Sequence, residues 1–82
     1  MKLLVTVSSP AISESYDILV PAELKVNSII PMIAHAIEEI SNGRYISSGD
    51  EALCSVENNI RINQFSTLAE SGIRNGDHLV LL

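Results

Sequence analysis

The fold of this chain is decided by its last stretch, Leu68-Ala69-Glu70-Ser71-Gly72-Ile73-Arg74-Asn75-Gly76-Asp77-His78-Leu79-Val80-Leu81-Leu82. It predicts one helical turn, capped by Thr67 or Ser66, that ends at Gly72-Ile73. Asn75-Gly76-Asp77 predicts a tight turn, because Gly and Asn adopt backbone conformations that most residues avoid. A strand is expected from Leu79 to Leu82, with side chains alternating between two faces. Leu79 and Leu81 share one face, and His78, Val80 and Leu82 share the other.

The segments before this stretch predict four more strands and one helix. Apolar residues alternate in strand fashion in four places: Lys2–Val7, Tyr16–Val20, Ala52–Val56 and Ile60–Ile62. Between the second and third of these the apolar residues recur at steps of three and four, as on one face of a helix: Val26, Ile30, Ile33, Ile37 and Ile40. We expect this helix to begin with Asn27 or Ser28 as its N-cap and to end at Asn42-Gly43. The predicted core is Leu3, Val5, Ile18, Val20, Ile30, Ile33, Ile37, Leu68, Ile73, Leu79 and Leu81.

The composition limits the classes of function. The 82 residues predict a single domain, 1–82, with a formal net charge of −5 from 5 basic and 10 acidic residues. Such a chain repels phosphate backbones and anionic lipids, so neither nucleic acid nor direct membrane insertion is expected. Cys54 is the single cysteine, which excludes an internal disulfide. No stretch is long enough to span a bilayer, so we expect a cytoplasmic protein.

Three groups of residues could be taken for catalytic or metal-binding sites, but a structural role explains each of them better. His35 lies at helical spacing from Glu38 and Glu39, but two neighbouring ligands without a third predict a solvated polar face rather than a metal site. Cys54 has no basic neighbour in the sequence, so we expect a buried structural thiol. Asp77 and His78 are adjacent in a strand and point to opposite faces. The sequence therefore predicts no enzyme, no metal and no cofactor.

Three segments carry a resemblance to a known family. Tyr16–Ala22, Asn27–Ile40 and Leu68–Leu82 resemble the second strand, the helix and the C-terminal block of the YukD/EsaB family, the small ubiquitin-like proteins of bacterial type VII (ESX-like) secretion systems. A similar pattern occurs in the N-terminal domain of the ESX membrane protein EccD, where transmembrane helices follow it. The resemblance implies an α+β fold, the ubiquitin-like β-grasp. In this fold a mixed sheet of four to five strands packs on one helix, and the first and last strands pair in parallel.

The resemblance also implies a function. Family members are cytoplasmic, are not conjugated to other proteins, and support secretion through the membrane-bound ATPase machinery. We therefore expect an accessory or adaptor protein, recruited to the inner face of the membrane by the membrane ATPase or an associated membrane protein, or forming a homodimer. The alternative is a sulfur carrier or ubiquitin-like modifier. That function requires a flexible Gly-Gly tail, and the chain ends at Leu82 without one, so we expect mass spectrometry to find no adduct through Leu82.

The residues themselves suggest where a partner binds. Strand alternation predicts that Leu4, Leu19, Leu53 and Val80 point away from the helix, with His78 beside them. On adjacent strands these side chains would form one exposed apolar patch, a common sign of a protein interface. The alternative is that they are scattered singly, as exposed apolar residues often are. Histidine titrates near neutral pH, so His78 would add a mild pH dependence to binding.

Overall fold

The computed structural model describes all residues, 1–82, as five strands and one helix. The elements are β1 (Lys2–Ser9), β2 (Glu14–Pro21), α1 (Val26–Ile40), β3 (Leu53–Ser55), β4 (Ile60–Arg61) and β5 (His78–Leu81). The sheet has the order β2-β1-β5-β3-β4, in which β1 and β5 pair in parallel and the other neighbours are antiparallel. The predicted mixed sheet with parallel first and last strands is confirmed.

The core lies between one face of the sheet and the helix. Ten of the eleven predicted core residues are buried, and Ile18 is half-buried against them. The core also takes in apolar residues outside the predicted core set, including Ile29, Tyr45 and Ile62. Ile40 was predicted on the buried stripe of the helix but is 57% exposed, because it lies in the last turn, beyond the part that packs on the sheet.

The helix begins differently from the prediction. Its first residue is Val26, and the residue before it, Lys25, makes no side-chain cap. The backbone N–H groups of Val26 and Asn27 instead donate to the carbonyl oxygens of Ser66 and Gln64, each over 2.8 Å. A loop distant in sequence thus satisfies donors that a side-chain cap normally satisfies, which makes an Asn27 or Ser28 cap unnecessary. The helix ends as predicted, with Asn42 and Gly43 at positive φ.

The segment before β5 holds that strand in place. Thr67 Oγ1 accepts from the N–H of Glu70 (3.0 Å) and Glu70 Oε1 accepts from the N–H of Thr67 (2.9 Å), which is a capping box. The tight turn that follows is tied to β1: Asn75 Oδ1 accepts from the N–H of Leu4, and the N–H of Gly76 donates to the carbonyl of Leu4, both over 2.7 Å. Both the Thr67 cap and the turn are as predicted from the sequence.

Candidate protein-binding face

The side of the sheet that faces away from α1, called the outer face below, carries four of the five predicted binding residues: Leu4, Leu19, His78 and Val80. The pairing register aligns its side chains in rows that run across the strands. Leu4 lies directly opposite Leu19, and their side chains are 44% and 61% exposed. Since the backbone of Leu4 bonds to the 75–76 turn and not to β2, this is the close type of antiparallel pair, with Cα atoms about 4.5 Å apart. We call these two residues the Leu4–Leu19 pair.

The next row is polar. Thr6 lies between Asp17 on β2 and His78 on β5, and its hydroxyl donates to Asp17 Oδ1 over 2.8 Å. His78 is bound on its other side by Glu57, which accepts from the backbone N–H (3.0 Å) and lies 3.0 Å from ring Nδ1. The hydrogen bonds from His78, first from its side chain and then from its backbone, hold the pKa of the Glu57 carboxyl below its usual value. His78 therefore lies on the outer face as predicted, within a polar row.

Val80 lies one row further on, away from the Leu4–Leu19 pair. It is half-buried, and its neighbours are Ser8 on β1 and Cys54 on β3. Because Ser8 is four residues along β1 from Leu4, the two apolar positions are about 13 Å apart. The prediction of one continuous apolar patch is therefore wrong, since the row of Asp17, Thr6 and His78 divides it.

A second apolar area surrounds Val80. Cys54 lies opposite Val80, and the alternation that buries Ser55 and Leu81 turns the neighbouring residues Val56 and Leu82 outward. We call Cys54, Val56, Val80 and Leu82 the Val80 area. Val56 and Leu82 are 54% and 63% exposed. The predicted interface lacked Cys54, Val56 and Leu82, although the position of Leu82 on the face of Val80 was evident from strand alternation.

Leu53 does not belong to this face. Its side chain is 1% exposed and lies opposite Leu81 on the core side. The prediction failed because a polar residue, Ser55, shares the inward face of β3: it is 2% exposed, and its Oγ accepts from the N–H of Asn58 over 3.2 Å. This inward serine reverses the expected alternation. For the same reason Cys54, predicted as a buried thiol, is half-exposed on the outer face.

The residues considered as catalytic or metal-binding candidates make only local contacts. His35 Nε2 lies 3.1 Å from Glu39 Oε1 on a well exposed part of the helix. Asp77 Oδ2 accepts from the N–H of Arg74 and takes no part in orienting His78. The structure brings no three His, Cys, Asp or Glu side chains together in a way that would hold a metal ion. No helix has the length and apolar character needed to cross a membrane.

Comparison with known proteins places this fold in a family. The profile described as WXG100 protein secretion system (Wss), protein YukD, matches residues 4–81. The chain belongs to the YukD family. A search of curated proteins finds no significant match. The YukD family is associated with type VII secretion, and the fold of this member is the ubiquitin-like fold predicted from the sequence.

Solved structures show the same fold. The ubiquitin-like domain of the type VII secretion protein EccD1 from Mycobacterium tuberculosis aligns with a TM-score of 0.78 and 15% identity, over 100% of this chain and 98% of that one. A ubiquitin-like domain from Arabidopsis thaliana aligns with a TM-score of 0.72 and 23% identity, over 99% and 76%. A chain of the ESX-5 inner membrane complex aligns with a TM-score of 0.72 and 18% identity, over 99% of this chain and 20% of that one.

Proposed function

We propose that this YukD family protein is a non-catalytic, cytoplasmic adaptor that binds a protein component of a type VII secretion machinery through the outer face of its sheet. The observation that carries the proposal is the exposure of apolar side chains on paired strands of the sheet, above all the Leu4–Leu19 pair. Paired exposed leucines on ordered strands are a binding feature, because their burial by a partner costs little conformational entropy.

The family and the similar structures support the choice of partner. Chains of the ESX-5 inner membrane complex and of the ESX-3 core complex contain a region of the same fold, over 20% and 16% of their lengths. An adaptor of this kind would meet the membrane ATPase, or a membrane protein associated with it, at the inner face of the membrane. The negative charge of the chain favours a partner surface with basic residues around an apolar centre.

The test is secretion of a WXG100 substrate by cells whose chromosomal copy carries charged substitutions on the outer face. Leu4→Asp with Leu19→Asp removes one apolar area, and Val80→Asp removes the other. We expect at least one of these variants to lose secretion and co-purification of the membrane ATPase complex, because a buried carboxylate in an apolar interface is strongly unfavourable.

The matched control is Phe65→Asp, which places the same charge on a side chain that is 64% exposed and borders the cavity between α1 and β4, away from the outer face. Circular dichroism of each purified variant establishes that it is folded. Normal secretion by both folded outer-face variants would overturn the proposal. A loss of secretion in Phe65→Asp as well would show that the added charge, and not its position, is responsible.

A further inference from the structure

The two edges of the sheet differ greatly. At one edge lies β4, which has only two residues. At the other lies β2, which has eight residues, Glu14–Pro21, and no neighbouring strand on its outer side. An open strand of this length is a template for a further strand unless it is covered or blocked.

The hydrogen bonds of β1 show which backbone groups of β2 are open. The N–H of Thr6 donates to Asp77 and the carbonyl of Leu4 accepts from Gly76, so both residues direct their backbone groups away from β2. In an antiparallel pair, residues directly opposite each other either both bond across the pair or both turn outward. The residues opposite Ser8, Thr6 and Leu4 therefore present their N–H and C=O groups to the open edge. These residues are Ser15, Asp17 and Leu19.

The helix lies beside the core side of β2 at this edge, and we call the strip of surface between the two the groove. Ile30 and Pro31 lie on the flank of the helix that faces away from β2. They line cavities whose other walls come from β3, β4 and the adjoining loops. Met32, Ala36 and Ile40 project from the opposite flank of the helix, because each residue turns about 100° around the axis. That flank faces β2, the strand that α1 approaches most closely.

The walls of the groove are largely apolar. Met32 and Ile40 are 49% and 57% exposed, and Ala36 between them is half-buried. On the strand side the wall consists of Tyr16 and Ile18, which are half-buried against the core. The groove thus places partly exposed apolar side chains next to unpaired backbone groups.

The unpaired charge on β2 is negative, since Glu14 of the same strand is ion-paired with Arg44. Asp17 accepts a hydrogen bond from the hydroxyl of Thr6 and has no cationic partner, so its carboxylate presents a full charge at the middle of the strand. A second copy of this chain is a poor occupant. In the antiparallel register that pairs Ser15, Asp17 and Leu19 of one copy with the same three residues of the other, Asp17 lies opposite Asp17, and like charges directly opposite are destabilising.

We propose that β2 and the helix flank of Met32, Ala36 and Ile40 bind an extended peptide segment in which apolar and basic residues alternate. The segment adds to the sheet as a sixth strand. Its apolar residues lie opposite Tyr16 and Ile18 and enter the groove, and its basic residues lie on the outer side next to Asp17. Main-chain hydrogen bonds supply affinity and the alternating side chains supply specificity. This site does not depend on the outer-face function proposed above.

The test titrates the isotope-labelled protein with a decapeptide of alternating Val and Lys and follows its amide signals by NMR. In the free protein the amides of Asp17 and Leu19 should exchange fast and that of Ile18 slowly. On binding, the signals of Ser15, Asp17 and Leu19 should shift and gain protection. Two control peptides, alternating Val with Glu and Ser with Lys, should bind at least about tenfold more weakly, since each removes one of the two side-chain contributions.

A pair of variants isolates the backbone contribution. Asp17→Pro and Asp17→Ala both remove the carboxylate, but only the proline also removes the open N–H, which edge strands tolerate. The proline variant should bind the Val-Lys peptide about tenfold more weakly than the alanine variant, the loss expected for one hydrogen bond. If the proline variant does not fold, Ile40→Lys provides an independent test at an exposed groove residue and should weaken binding similarly.

Three results would overturn the proposal. One is a Val-Lys titration that leaves the amides of Ser15, Asp17 and Leu19 unchanged. Another is equal binding of the Val-Glu peptide. The third is a concentration-dependent dimer in sedimentation experiments that protects these amides without any peptide, which would make a second copy the occupant.

Discussion

The structure makes a quantitative prediction about β3 that contradicts the simple interpretation of its sequence. The residues Leu53 and Cys54 are adjacent, and the sequence predicts that the first faces solvent and the second is buried. In the structure Leu53 is 1% exposed and Cys54 is half-exposed. Truncation of each residue to alanine therefore measures directly which face of β3 packs on the helix.

The size of the effect follows from the surroundings of Leu53. Leu→Ala at a fully buried site costs about 2 to 5 kcal/mol, the larger values arising where the cavity cannot collapse. A cavity of about 210 Å³ between α1 and β4 already adjoins Leu53. Solvent can fill the new space from there, so we expect the lower part of the range, about 2 to 4 kcal/mol. Cys54→Ala should cost less than about 1 kcal/mol, as is usual for a partly exposed side chain.

Urea denaturation followed by far-ultraviolet circular dichroism provides the assay, since the chain has no tryptophan. A domain of this size has a total stability of about 4 to 12 kcal/mol, so the loss at Leu53 would be a large fraction of it. In addition, Cys54 should react with iodoacetamide in the native protein without denaturant. A larger loss of stability for Cys54→Ala than for Leu53→Ala, or a thiol that reacts only after unfolding, would refute the orientation of β3.

Two further predictions concern the helix and the loop after it. Ile33→Ala should cost about 2 to 5 kcal/mol in urea denaturation, whereas Ile40→Ala, at an exposed position of the same helix, should cost less than about 1 kcal/mol. Desolvation raises the pKa of Glu51, but hydrogen bonds from Tyr45 (2.6 Å), Ser47 and Ser48 outweigh it and leave the pKa below 4.5. The ionised carboxylate therefore stabilises the fold above about pH 4.5, and the destabilisation caused by Glu51→Gln should diminish as the pH falls below that value.

The sequence predicts the fold well where local pattern and tertiary environment agree. The alternation of β1 and β5 places Leu3, Val5 and Leu79 in the core, as observed. The turn at Asn75-Gly76 is predicted because few residues other than Gly adopt the φ of +87° that Gly76 has. Where a residue type suits both the backbone conformation and the degree of burial at its position, a single sequence is enough to predict the local structure.

Prediction from the sequence fails where a polar residue is buried, or where a distant loop replaces a local interaction. Ser55 faces the core and accepts a hydrogen bond from Asn58, an arrangement that alternation of hydrophobicity cannot reveal. The start of the helix depends on the carbonyl groups of Gln64 and Ser66, which lie nearly forty residues away along the chain. The division of the predicted binding patch has a related cause, since it depends on the register between strands and not on the pattern within any one of them.

The outer face and the open edge meet along β2, because side-chain direction and backbone direction alternate with the same period of two. Ser15, Asp17 and Leu19 direct their side chains to the outer face and their backbone groups to the edge. A peptide strand paired with them would place its own alternate side chains on the outer face next to Leu19, and so enlarge the surface that contains the Leu4–Leu19 pair. Those added side chains are basic, and the partner proposed for the outer face is also basic around its apolar centre, so binding at the edge should weaken binding on the outer face. Leu4→Asp distinguishes the two sites, because Leu4 lies one strand away from the edge: this variant should lose the secretion partner and retain the peptide.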